Sequence, residues 1–349
     1  MKLYFKKKYY KQWHDKRSQK IGRKPRRNKK YNPNRLPIYQ RQHRIEYLRV
    51  NPIKAPSQLD LLRNTEECLR FFTELRDLGA INKVNKTCYV EMDISKVEKI
   101  DYSSVCVLIA ISRDLKFKKI ILRGNYPESE QCKKLVIESG LLTFMFDDKG
   151  KPFDKSEKSD LFFIEKGSEL LSQKDNISIS KSVQHVVKHL SGKESHFPKL
   201  RTIMLEICGN SIEWGETLNN QWLFGVKYEE EKVIFTITDV GKGILKTLKK
   251  KFTRFLKDVL SNKTSDEVLK GAFIKKYNSK TEEINRNKGL PSIKKAYDNG
   301  IISNLTVITN NVMLNFSDEK KSKEMQGHEF EGTLYRWEVT KDNLKMGLI

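Results

Sequence analysis

The chain has 349 residues, 38% of them hydrophobic and 32% charged, which allows real cores beneath a well-solvated surface and more than one globular unit. Its longest apolar run, Val105 to Ile111, is far shorter than the roughly 20 residues of a membrane span, so no span is expected. Five cysteines (Cys68, Cys88, Cys106, Cys132, Cys208) form no CxxC and have no His pair at metal spacing, which reads as buried, reduced thiols in place of a disulfide frame or zinc site.

The net charge of +24 is uneven: residues 1 to 44 hold 17 Lys and Arg against the single acid Asp15. The opening MKLYFKKKYY has charge but no apolar stretch, so no secretory or lipidation signal is legible and a cytoplasmic location is expected. The densest basic run, Arg23, Lys24, Arg26, Arg27, Lys29 and Lys30, precedes a proline-containing NPNRLP that opposes regular structure. Aromatics (Tyr4, Phe5, Tyr9, Tyr10, Trp13, Tyr31) are interleaved. Residues 1–45 therefore read as a disordered or extended basic arm suited to nucleic acid, with a solubilising tail or a tail for another polyanionic surface as the alternatives.

From Arg49 strands and helices alternate. Leu62, Leu69, Phe72 and Leu75 have helical spacing within residues 55 to 78. CYVEMDIS (88 to 95) reads as a strand, SSVCVLIAISRDL (103 to 115) as a helix, KKIILRG (118 to 124) as a strand, and SEQCKKLVIESG (129 to 140) as a helix closed by Gly140. This pattern implies an α/β layer with a parallel or mixed sheet. The run MDISKVEKIDYSSVCVLIAI, with GNYPESEQCKKLVIESGLL downstream, resembles a STAS domain, the small α/β module of anti-sigma-factor antagonists. The resemblance covers about 60 residues within the expected unit 46–160 and implies a protein-docking role. In phosphorylatable members a Ser or Thr directly follows the Asp; here Tyr102 follows Asp101, and Ser103 and Ser104 are displaced. The segment thus reads either as a helix cap with a protein-contact role or as a phosphorylation switch.

Further on, Leu200, Ile203, Met204 and Ile207 mark one buried face of a helix, and Glu206, Asn210 and Glu213 stand at i, i+4, i+7 on a neighbouring stripe. By itself that stripe is an ordinary wet helix face. Three more elements follow it: the strand KVIFTIT (232 to 238) emptying into DVGKGI (Asp239 to Ile244), a helix opened by a glycine in NRNKGLPSIKKA (285 to 296), and the strand EGTLYRWEV (331 to 339). In order and spacing they resemble the E-x-x-x-N, D-x-G-x-G, glycine-lid and G-T elements of the GHKL superfamily, whose members include gyrase B subunits, MutL proteins, histidine kinases and anti-sigma kinases. The resemblance spans residues 165–342.

It implies a Bergerat-fold α/β sandwich with a mixed sheet, helices on one face, and ATP with Mg2+ held beneath a lid. Position by position it implies Glu206 as the base for the attacking water, Asn210 as the Mg2+ ligand, Asp239 as the adenine-recognising carboxylate assisted by Thr333, and Gly241, Gly243 and Gly289 as glycines beside the nucleotide and in the lid. Asn287 stands where the lid pattern prefers a first glycine, and His185, His189 and His196 lack a phosphoacceptor context. The stretch Leu245 to Arg286 is long and Lys-rich. The run Asn210 to Glu213 is closer to the hydrolysing branches than to anti-sigma kinases, because Trp214 replaces a histidine. The expectation is an ATPase switch whose nucleotide state controls self-association or partner binding; a Ser/Thr protein kinase acting on a STAS domain and a non-hydrolysing adaptor are the alternatives. Chains joining a STAS module to such an ATPase resemble components of bacterial accessory operons.

Overall fold

The computed structural model describes residues 52–84, 87–153, 159–167, 171–215, 221–251, 263–274 and 289–348. The basic arm with Arg23, Lys24, Arg26, Arg27, Lys29 and Lys30, and Asn287 of the lid pattern, lie outside these residues. Among the described residues no helix is long and apolar enough to cross a membrane.

The N-terminal layer is formed by strands β1 (Ile53–Lys54), β2 (Gln58–Leu59), β3 (Asn82–Val84), β4 (Thr87–Asp93), β5 (Lys99–Ile100) and β6 (Ile120–Gly124), with helices α1 (Thr65–Arg76), α2 (Tyr102–Phe117) and α3 (Glu130–Glu138). Strand β4 pairs in parallel with β1 and β6 and antiparallel with β3, while β2 and β5 form a separate parallel pair. Helix α2 opens on an Asp101 cap, whose carboxylate accepts from the backbone N–H groups of Ser103 and Ser104, so the cap reading holds. After α3, Gly140 takes φ +77, a left-handed stop that a side chain would strain.

The remainder forms β7 (Phe162–Gly167), α4 (Gln173–Ser191), α5 (Pro198–Trp214), β8 (Trp222–Tyr228), β9 (Lys232–Asp239), α6 (Ile244–Lys251), α7 (Ser265–Phe273), α8 (Gly289–Asp298), β10 (Ser303–Asn310), β11 (Val312–Asn315), β12 (Lys323–Glu324), β13 (Phe330–Thr340) and α9 (Lys341–Leu348). The seven strands lie in the order β12-β11-β10-β13-β9-β8-β7. The mixed sheet implied by the GHKL resemblance is not what forms here, because every pairing in this sheet is antiparallel. Two helices, α4 and α5, separate β7 from β8, and a there-and-back helical pair returns the chain to the end where β7 finished.

Strand alternation sends Val233, Phe235 and Ile237 of β9, Phe224 of β8 and Trp337 of β13 into one core with α4 and α5. Phe235 stacks nearly parallel on Trp337, with ring centroids 5.2 Å apart, and on Phe224 at 6.0 Å. The opposite face sends Leu223, Ile308, Met313 and Leu334 into the core shared with α1, α2 and β4. Helices were expected on one face of the large sheet, but α1 and α2 cover the second. Val50–Ile349 is accordingly one compact unit.

Helix α2 explains the joint. It lies between the two sheets, so nearly every residue from Tyr102 to Leu115 is buried, and its Val105–Ile111 run is apolar all round in place of being amphipathic. Tyr102 donates its hydroxyl to the Phe163 carbonyl at 2.9 Å and lies over Gly225 of β8. A Cβ at Gly225 would stand 2.5 Å from Cys106 Sγ and 3.1 Å from the Tyr102 ring, so the close approach needs glycine there. Ser103 Oγ lies 3.3 Å from Thr236 Oγ1 on β9. Ser103 and Ser104 are 1% and 0% exposed, which corrects the phosphorylation-switch alternative: in the folded chain both hydroxyls are sealed inside a layer interface.

Candidate functional site

Helix α5 starts with Pro198 at its first turn, where the missing N–H is no loss, and buries the anticipated stripe of Leu200, Ile203, Met204 and Ile207. Glu206 and Asn210 are half-buried beside that stripe, about 6 Å apart along the axis at 1.5 Å rise per residue. The side chains of Glu213 and Trp214 are outside the described set. Among the described residues the Glu206 carboxylate accepts no hydrogen bond and forms no ion pair.

The helix end collects the other elements. Gly289, first residue of α8, packs on Asn210 so closely that a Cβ there would lie 2.7 Å from both terminal atoms of the carboxamide. Asp239, at the end of β9, is 2% exposed, and its Oδ1 accepts from the Gly241 N–H at 3.0 Å. The turn after it is pressed against the end of α5: Lys242 N–H donates to the Gly215 carbonyl at 2.7 Å, and a Cβ at Gly241 would collide with that same oxygen. Across the sheet Thr333 is the register partner of Asp239. Gly332 has φ +148, and a Cβ there would lie 2.2 Å from the Asp239 carbonyl, so this crossing is closed to any side chain.

Asn210, Asp239, Gly241, Gly289 and Thr333, which span more than a hundred residues of sequence, are thereby brought round the last turns of one helix. Gly243, with φ +79, sits one step away against Thr309 and Asn310. Those two residues were not legible in the sequence, and they build the turn. Thr309 Oγ1 accepts from Ile244 N–H at 2.9 Å and donates to the Gly332 carbonyl at 3.0 Å; Asn310 accepts from Leu245 N–H at 3.0 Å and donates to the Lys242 carbonyl at 2.8 Å. No local signal in the sequence marks them; in the fold Asn310 takes a positive φ, a conformation that Asn tolerates better than most residues.

Burial pushes the Asp239 carboxyl up to about 6, partly offset by the Gly241 N–H, by Ser211, by the Thr333 backbone and by the Arg76 guanidinium. The Ser211 hydroxyl lies against the Asp239 carboxylate and favours its charged form, while Asn210 Nδ2 is buried and unpaired. A buried amide N–H without a partner is costly in a folded chain and suits a site completed by a polar ligand. Among the described residues no group of three or more His, Cys, Asp or Glu could hold a metal ion.

The three histidines are exposed; His189 Nε2 meets the Glu229 carbonyl at 2.8 Å and His196 meets Gln184 at 3.3 Å, both ordinary surface contacts. Compared with protein-family models and with curated proteins, the chain matches none.

Proposed function

We propose that residues around the end of α5 bind Mg-ATP and that the chain is an ATP-hydrolysing switch of the GHKL type. The observation that carries this reading is the convergence of Asn210 with Gly289 and of Asp239 with Gly332 and Thr333 on one helix end, with the buried Asn210 Nδ2 left unpaired. In this reading Asp239 accepts from the exocyclic amine of the purine. Thr333 supports that edge, Asn210 would hold Mg2+, and Gly289 admits phosphate to the N-terminus of α8. Bound Mg2+ would supply neutralisation of the phosphate charge. Glu206, one turn back on α5 and without a partner among the described residues, orients a water and accepts its proton.

Phosphotransfer to the chain's own Ser103 or Ser104 is disfavoured by their burial. ATP state then controls self-association or the docking of a protein partner on the STAS-like layer, and the basic arm holds nucleic acid.

The test is calorimetry with Mg-ATP on the full chain, followed by phosphate release with and without DNA or RNA. Glu206→Ala retains binding and loses turnover, whereas Asn210→Ala loses the Mg-dependent part of binding. Absence of ATP binding to the folded chain defeats the proposal, and binding without turnover leaves the non-hydrolysing adaptor. Deleting residues 1–44 removes salt-sensitive nucleic-acid binding; unchanged binding at low salt defeats the assignment of the arm.

A further inference from the structure

Arg76 belongs to the STAS-like layer, yet its side chain ends at the far corner of the large sheet. It is the last residue of α1 and its side chain is only 14% exposed. Nη2 donates to the Val240 carbonyl and Nη1 to the Glu331 carbonyl, each at 2.8 Å. Val240 follows Asp239 at the end of β9, and Glu331 precedes Gly332 at the start of β13. One guanidinium thus spans the two strands at the point where Asp239 and Thr333 face each other.

Its charge is balanced by Asp114 of α2 at 3.7 Å, a buried carboxylate also held by Lys118 at 2.9 Å, and by the exposed Glu331 carboxylate at 3.7 Å. Arg113, the neighbour of Asp114, donates to the Trp222 carbonyl at 2.9 Å and to the Gly167 carbonyl at 3.3 Å. In an antiparallel sheet the end of β9, the start of β13, the start of β8 and the end of β7 all lie at one edge. The C-terminal ends of α1 and α2 therefore grip the same edge of the sheet that carries Asp239.

We propose that Arg76 is a positioning residue of the base-recognition turn: by tying the Val240 and Glu331 carbonyls together it holds Asp239 in register with Gly332 and Thr333 and makes the STAS-like layer a working part of the nucleotide site. The inference rests on the reading of Asp239 as the purine-binding carboxylate. A rigid guanidinium fork reaches two carbonyls at once; a lysine ammonium at the same place is a single point charge on a flexible stem. The fork gives both terminal nitrogens to carbonyls, while its Nε is buried without a partner. Movement of α1, the element through which a docked partner would act, is transmitted to the base pocket without passing through Asn210 or Glu206.

The experiment uses the full chain, with Arg76→Lys and Arg76→Gln beside the parental protein, and measures binding of Mg-ATP and Mg-GTP together with turnover at saturating ATP. The expected result is a loss in ATP affinity of about tenfold, as for lost hydrogen bonds to a charged group, with the ATP-over-GTP preference eroded and the saturated rate unchanged. Equal affinity and equal preference in a folded variant overturn the proposal. Absence of ATP binding by the parental chain instead overturns the nucleotide-site reading on which it rests. As a measurement independent of variants, ATP added to the parental chain slows amide hydrogen exchange in residues 72–77 as well as in 239–243; protection of 239–243 alone overturns it.

Discussion

Gly289 and Asn210, 79 positions apart in sequence, touch so closely that a methyl group on the glycine would stand 2.7 Å from both ends of the carboxamide. Because the obstructed atoms are the tip of a side chain and not backbone, Gly289→Ala should leave the fold intact and turn Asn210 away. We expect a Tm within a few degrees of the parental value and at least a tenfold loss of Mg-ATP affinity by calorimetry, about the worth of one charge-assisted contact. Unchanged affinity would show that Asn210 is not a ligand.

Asp239 gives a pH prediction with a definite sign. Its folded carboxyl is raised to about 6 from 3.8, so folding favours the protonated form: its stability contribution is fully present below pH 4, is lost as pH rises to about 6, and is constant above. The groups facing it are the Arg76 guanidinium, the Ser211 hydroxyl and the backbone of Gly241 and Thr333, and none removes the burial penalty. Asp239→Asn should therefore be more stable than the parental chain at pH 7.5, by up to about 3 kcal/mol for two pKa units, with the curves meeting below pH 4. Denaturant melts across pH check this. Binding runs the other way, since parental ATP affinity falls as pH drops through 6 and the Asn variant has little at any pH.

The two elements that carry the proposed chemistry were legible for local reasons. Leu200, Ile203, Met204 and Ile207 write the buried face of α5 at helical period, and KVIFTIT runs straight into Asp239 with Gly241 two positions beyond. Thr309, Asn310 and Arg76 were not legible, because their partners Ile244, Leu245 and Val240 lie 65 to 164 positions away and no periodicity links them. The cap at Asp101 and a phosphoacceptor at Ser103 have the same local sequence; only the packing of α2 against β9 separates them. Strand direction was misjudged for a related reason, since it follows from the helical pair between β7 and β8 and leaves no mark on the strands themselves.

Gly225 tests whether the two layers form a single cooperative body. Its missing side chain admits Cys106 and Tyr102, and a Cβ 2.5 Å from the buried Cys106 sulfur has no room to relax. Gly225→Ala should lower stability by about 1–3 kcal/mol, the usual cost of overpacking, in one unfolding transition seen equally by both layers. Urea melts followed by circular dichroism and by aromatic fluorescence check it, and two separated transitions in the parental chain would show that the layers unfold independently.

Ser103 gives the sharpest contrast between a switch and a joint. Its hydroxyl shares a hydrogen bond with Thr236 inside the interface, so Ser103→Ala leaves one buried hydroxyl without that partner and should lose about 1 kcal/mol. Ser103→Asp places a carboxylate in the same dry contact with no cation among the groups described there, and should lose about 3 kcal/mol or more, the scale of an uncompensated buried charge. A phosphoacceptor on a free surface would show neither effect and would tolerate Asp. Equilibrium unfolding of the two variants decides between them: Asp at parental stability means that α2 is not seated on β9, whereas a graded loss from Ala to Asp means that a phosphate at this position could enter only by prying the layers apart.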